Sequence, residues 1–195
     1  MNGKEIYKKE PMYWPMWLSD EEQAQIITAA AEGENARRDI IIIAGMMFLG
    51  LSAKEAAAIR YCTVNGDAIE RKGGAAFLHI PNAYRRMIYK AIGDISTVPL
   101  ADRVISCTQK EAEEAAEAVL SRAGFAAEVA ALRMRRTAAR LHYMNGWTWE
   151  GDILRWFRDI ESIPEGNKVL YYREETEEEM QKKIDEAIEK MPVII

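Results

Sequence analysis

The stretch Ile40-Ile41-Ile42-Ile43-Ala44-Gly45-Met46-Met47-Phe48-Leu49-Gly50-Leu51 constrains the chain more than any other. It is too short for a membrane span, which needs roughly 18 apolar residues. Gly45 and Gly50 interrupt it, and charged residues precede it. It therefore reads as a helix over about Ala36–Leu49, stopped by Gly50 and buried on all sides. A helix of that kind needs a shell of amphipathic partners, and the rest of the sequence supplies them.

Capping boxes mark where the partners begin. Ser19 with Glu22, Ser52 with Glu55 and Thr108 with Glu111 each place a hydroxyl and a carboxylate three positions apart, so that each satisfies the other's backbone N–H. They predict helices from Ser19 to about Glu32, from Ser52 to about Arg60, and from Thr108 to just before Gly124. Asn82 opens a helix to about Ile92, Glu128–Asn145 is a further long one stopped by Gly146, and Trp149–Phe157 another. An acidic helix covers about Glu174–Glu189. Strands are expected at Asp67–Arg71 and Ala75–Ile80, flanking the Gly73-Gly74 turn signal and ended by Pro81. A short strand is placed near Arg103–Ser106. The expected fold class is mainly α with a small antiparallel β-sheet, and the hydrophobic content of 49% suits one core. Residues 1–18 read as a leader or linker, 19–173 as the domain, and 174–195 as an acidic helix and tail.

The net charge of −5 argues against a generic nucleic-acid binder. Its distribution weakens that argument, because Arg173–Lys190 carries eight acids against four bases and leaves the remainder near neutral. No cofactor motif is present. Two histidines and two scattered cysteines, Cys62 and Cys107, make no metal site, and reduced thiols in a cytoplasmic protein are the expectation.

Leu49-Gly50-Leu51-Ser52-Ala53-Lys54-Glu55-Ala56-Ala57-Ala58-Ile59-Arg60-Tyr61 resembles the T-G-L-R-x-x-E-L-x-x-L-x-W box of the tyrosine recombinases, the phage integrase family. The family then has a hairpin carrying a lysine and ending in a Val-Pro step. Here Ile69-Glu70-Arg71-Lys72-Gly73-Gly74 leads to Leu78-His79-Ile80-Pro81 in the same order. Its H-x-L-R-H-T-x-A helix is matched by Leu132-Arg133-Met134-Arg135-Arg136-Thr137-Ala138-Ala139, running on to Gly146. Arg158-Asp159 falls where the family has Gly-His, and Tyr171 and Tyr172 follow where it has its nucleophile. The resemblance covers about residues 18–190 and implies an integrase-like catalytic domain. The DNA-clamping domain that usually precedes it has no counterpart in residues 1–18.

In that family a tyrosine attacks a phosphodiester, arginines hold the charge of the transition state, and a lysine and histidines move protons. The resemblance makes Arg135, Lys72, Tyr171 and Tyr172 remnants of the catalytic set. An alternative register selects Arg133 in place of Arg135. Ser52 stands where the first arginine is expected, Leu132 where a histidine is, and Asp159 where the Gly-His histidine is. Ser52 suits a helix cap better than a phosphate ligand, Lys72 reads equally as a solvated turn residue, and Glu55 is a candidate partner for Arg135.

On a helical wheel Arg133, Arg136 and Arg140 share one stripe, an outer face suited to DNA phosphates or simply to solvent. Arg135 falls between apolar arcs. The function these features imply is a cleavage-deficient, DNA-associated relative of a mobile-element recombinase, with duplex DNA as partner. The alternatives are an interaction module and a diverged active recombinase. The apolar stripe Met180, Ile184, Ala187 and Ile188 leads to the expectation of self-association through residues 174–195. No membrane partner is expected.

Overall fold

The computed structural model describes residues 17–70, 77–93, 98–144, 156 and 177–193. In chain order the elements are α1 (Asp20–Ala31), α2 (Ala36–Leu49), α3 (Ala53–Ala57), α4 (Tyr61–Asn65), β1 (Ala68–Glu70), β2 (Phe77–His79), α5 (Asn82–Ile92), α6 (Gln109–Arg122), α7 (Ala127–Met144) and α8 (Glu177–Lys190). The expected class, mainly helical with a small antiparallel sheet, is what the described residues form. The turn between the expected strands, with Lys72, Gly73 and Gly74, the helix at Trp149–Phe157 and the segment holding Asp159, Tyr171 and Tyr172 lie outside the described residues, Trp156 excepted.

α2 is the axis of the molecule. Every residue from Asp39 to Leu49 is buried, and α1, α3, α5, α6 and α7 all pack on it. The isoleucine run thus fills the core from all sides, as its lack of a polar face requires. The charged side chain just before the run is Asp39, whose Oδ1 accepts from Arg38 Nε at 3.0 Å and Nη2 at 2.9 Å. That pairing offsets the cost of burying a carboxylate.

Gly45 sets how closely α3 can approach. A Cβ at Gly45 would lie 2.7 Å from Ala56 Cβ and 3.2 Å from Ala56 Cα, so only hydrogen fits between the two backbones. Gly50 then turns the chain from α2 into α3 with φ 60 and ψ 27, the left-handed conformation that glycine adopts without strain.

Each capping box forms as the sequence implies, with Ser19, Ser52 and Thr108 accepting from the N–H of Glu22, Glu55 and Glu111. α3 is shorter than expected. It ends at Ala57 because the chain straightens to pair across to another segment: Val104 N–H donates to the Ile59 carbonyl, Tyr61 N–H to Asp102 and Cys62 N–H to Leu100. For the same reason the strand expected near Arg103–Ser106 reduces to one isolated bridge, Arg60 to Arg103. A single turn of helix, α4, stands where the sequence reading placed none.

β1 and β2 pair antiparallel, Ile69 opposite Leu78. Leu78 is buried on the core side, and the strands alternate with exposed Glu70 and Phe77. α5 buries Ala83, Tyr84, Met87, Ile88 and Ala91, the spacing of one helical face.

The tail does not leave its stripe uncovered. α8 packs on α1 and α5 of its own chain, and Ile184, Ala187, Ile188 and Met191 are buried there. Lys183 pairs with Glu21, and Arg86 with Asp185. Lys90 Nζ donates to the Glu189 carbonyl. Of the two covers the sequence allows for this stripe, a second copy or the chain's own groove, the described residues show the groove between α1 and α5 filled by it. Among the described residues no helix is long and apolar enough to cross a membrane.

Candidate functional site at the end of α2 and the arginine face of α7

The resemblance places its first box where α2 ends, so the local chemistry there decides what the box can do. A helix leaves its last carbonyls without partners. At this end the N–H groups of Gly50 and Leu51 both return to the Gly45 carbonyl. The Phe48 carbonyl accepts from His142 Nε2 at 3.0 Å, and the Leu49 carbonyl accepts from Trp156 Nε1 at 2.9 Å. Two distant side chains therefore finish the helix.

That bond fixes the protonation of His142. A carbonyl only accepts, so Nε2 must carry the proton. The ring is fully buried, and burial pushes its pKa down to about 4 against a partial upward pull from the Phe48 carbonyl; His79 pushes it down as well. His142 is thus a neutral donor at ordinary pH. His79, on β2, is close enough to act on it electrostatically, which brings the two histidines of the chain to one place. Neither this proximity nor the role of Trp156 is visible in local spacing.

The position of the family's first arginine is occupied by a closed cap. Glu55 N–H donates to Ser52 Oγ at 3.3 Å, while Ser52 N–H and Ser52 Oγ donate to Glu55 Oε2 at 2.9 and 2.8 Å. Ser52 is exposed, and its hydroxyl serves the helix as expected. Leu132, where the family has a histidine, is 39% exposed on α7. Arg135 is half-buried on the same helix. Lys72, Asp159, Tyr171 and Tyr172 lie outside the described residues. Tyr84, by contrast, is buried on α5, and burial raises its hydroxyl far above the ordinary tyrosine range. It is a neutral phenol with no nucleophilic character.

The arginine stripe departs most from expectation. Arg133, Arg136 and Arg140 do share one face of α7, but Arg133 and Arg140 are each only 7% exposed and Arg136 is half-buried. The reading of this stripe as an outer, solvent-facing surface is corrected for those two. Among the described residues, α1 and the segment that enters it lie over them. Arg133 Nη2 donates to the Trp17 carbonyl at 3.0 Å and pairs with Glu22. Leu18 N–H donates to Thr137 Oγ1 at 2.8 Å, and that hydroxyl donates on to the Arg133 carbonyl at 2.7 Å. Arg140 Cζ lies 4.6 Å from the centroid of the Trp17 ring, within cation–π range. Leu18 itself is fully buried.

A sequence signal for this contact exists in Leu18. It is an apolar residue just before the Ser19 cap, and the residue a hydrophobic staple would pair it with is Gln23, which is polar, so Leu18 has to find its cover elsewhere. Reading residues 1–18 as one leader passes over it.

Neither thiol adds chemistry to these groups. Cys62 is exposed and Cys107 half-buried. Burial, then Glu111, raises the Cys107 thiol, which keeps it protonated.

Comparison with protein-family models, with curated proteins and with solved structures finds no match for the chain.

Proposed function

We propose that this protein is a DNA-associated relative of the tyrosine recombinases that does not cleave its DNA. The observation that carries the reading is the Ser52–Glu55 cap. The box around it keeps the Gly50 turn, the buried Leu51 and the acid at Glu55, while the residue that would hold a phosphate is a hydroxyl spent on its own helix. A transition state that gathers negative charge on phosphoryl oxygens would meet Ser52 where the family has a guanidinium. Losing one such donor costs about a hundred- to thousandfold in rate. Leu132 adds a second loss, since it carries no proton. Retention of the frame and loss of the charge together favour a protein that keeps DNA contact without chemistry.

Arg136, half-buried and so more accessible than Arg133 and Arg140, is the contact this reading assigns to the DNA backbone. Arg133 and Arg140 sit beside it under Trp17. Contacts of this kind neutralise phosphates and release counterions, so affinity falls steeply with salt.

Two measurements test the reading. Titration of the intact chain with a mixed-sequence duplex is expected to show binding that weakens several-fold between about 50 and about 150 mM salt; absence of binding at the lower salt would remove the DNA assignment. Incubation with a nicked suicide substrate is expected to leave no covalent adduct on a denaturing gel. An adduct that vanishes on Tyr171→Phe or Tyr172→Phe would make the protein an active recombinase.

A further inference from the structure

The connector between α3 and α4 and the segment leading toward α6 run side by side for a few residues. Val104 N–H donates to the Ile59 carbonyl and Tyr61 N–H to the Asp102 carbonyl. Those two bonds flank the bridge between Arg60 and Arg103. A pair so flanked is the non-hydrogen-bonded kind, in which the Cα atoms approach to about 4.5 Å and the side chains come closest. Residues directly opposite also project from the same face. Ile59, Tyr61 and Val104 are buried, so that face is the outer one, and Arg60 and Arg103 are both exposed on it.

Like charges placed directly opposite destabilise a pairing. Among the described residues neither arginine makes an ion pair, and Asp102, the acid beside Arg103, pairs with neither. The Arg60 guanidinium is steadied through Nη1 by the Ala101 carbonyl, which leaves its other donors for a further partner. A third cation stands close by. Arg38 and Arg103 both pull the Cys107 thiol down, so both lie near that one side chain, although Arg38 is already paired with Asp39. Glu111, the acid that acts on the same thiol, is engaged by the Thr108 N–H and hydroxyl.

We propose that Arg60 and Arg103 form a site for one phosphate group, whose oxygens bridge the two guanidiniums. Each guanidinium is a planar fork that meets a phosphate with two parallel N–H bonds. An anion held between the forks turns the repulsion of the bare pair into two attractions. The inference goes beyond the DNA-associated reading. The phosphate belongs either to a nucleic-acid backbone or to a small phosphorylated molecule, and the site stands in both cases.

The first arm of the experiment is thermal unfolding of the full chain in about 10 mM inorganic phosphate, against chloride of equal ionic strength. Wild type is expected to gain about 3–5 °C, the mass-action shift for a site of roughly millimolar affinity. Arg103→Gln and Arg60→Gln should lose that gain, whereas general exclusion of phosphate from protein surface would act equally on all three. Arg60→Lys keeps the charge without the fork and should retain less than half of it. In chloride alone Arg103→Gln should melt no lower than wild type, because the variant relieves the opposed charges. The second arm is a fluorescence-anisotropy titration of a short mixed-sequence duplex at about 50 mM salt. Binding about fivefold weaker in Arg103→Gln, with a shallower salt slope, assigns the phosphate to nucleic acid. Unchanged duplex affinity beside a lost phosphate gain assigns it to a small molecule. A gain shared equally by wild type and both glutamine variants would overturn the site. So would no gain in wild type with duplex affinity unchanged in Arg103→Gln, or a melting point for that variant in chloride well below wild type. Wild type that gains from phosphate and binds no duplex would remove the DNA reading and leave the site standing.

Discussion

The segments at either end of the described chain both close over α1 and its neighbours, yet they are held by different physics. α8 lies on α1 and α5 through Ile184, Ala187, Ile188 and Met191, all buried, with ion pairs along its rim. The Trp17–Leu18 segment meets α7 through hydrogen bonds, a ring over a guanidinium, and a single buried leucine. Burying an aliphatic side chain contributes about 1.5–3 kcal/mol, whereas each neutral hydrogen bond contributes a net of about 1 kcal/mol and exposed ion pairs less. The tail is therefore part of the core in all but sequence position. The Trp17–Leu18 segment is anchored by one fully buried residue with a half-buried one before it.

The largest expected effect falls on the tail. Ile188→Ala removes a fully buried side chain and should cost about 2–4 kcal/mol in urea unfolding. A loss below about 1 kcal/mol would mean that α8 is held no more firmly than the Trp17–Leu18 segment. Light scattering bears on the same point. With the stripe covered within the chain, the intact protein is expected to have a monomer's mass across a concentration range.

A smaller effect, and one that depends on pH, comes from His142. Its folded pKa of about 4 lies below the ordinary 6.5. Above pH 6.5 both the folded and unfolded rings are neutral, and the native state bears no penalty. As pH falls below 6.5 the unfolded ring takes a proton that the folded ring refuses. Stability then drops by up to about 1.4 kcal/mol per pH unit, reaching roughly 3 kcal/mol near pH 4. Unfolding curves at pH 7.5, 5.5 and 4.5 for wild type and His142→Gln should converge toward acid pH as the variant loses this dependence. Parallel curves would mean that the ring is solvated in the native state.

Smallest is the stability effect of Trp17→Ala, about 1 kcal/mol or less. That modest figure is the point of contrast with Ile188→Ala. A loss as large as the tail variant's would show the indole to be a core residue, held as firmly as α8.

Where sequence and structure agree, the reason is locality. Ser19, Ser52 and Thr108 cap as read because each box is complete within four residues. Gly50 ends α2 because the left-handed turn is a property of one residue. Disagreement begins where partners are far apart in the chain. Arg133 meets Trp17, His142 meets Phe48 and Trp156 meets Leu49 across long separations. A helical wheel correctly groups Arg133, Arg136 and Arg140, but it cannot tell which body faces the group. The same limit applies to α3, whose early end at Ala57 follows from pairing between Ile59 and Val104. Of the family's catalytic positions, Ser52 was legible as a cap from its neighbour Glu55; Leu132's exposure on α7 was not.

The burial of α2 on every side also governs how the molecule comes apart. Its amides are shielded by helices drawn from most of the described chain, from α1 to α7, so no partial opening that leaves this shell in place can expose them. Hydrogen exchange at Ile41, Ile42 and Met47 should proceed only through global unfolding, at rates that track the full unfolding free energy. Amides of the exposed hairpin, such as Glu70 and Phe77, should exchange through local fraying. Among the described residues, removing α1, α3, α5, α6 or α7 would uncover part of this axis, so a substitution at the rim of α2 is felt as a change in the cooperativity of all five.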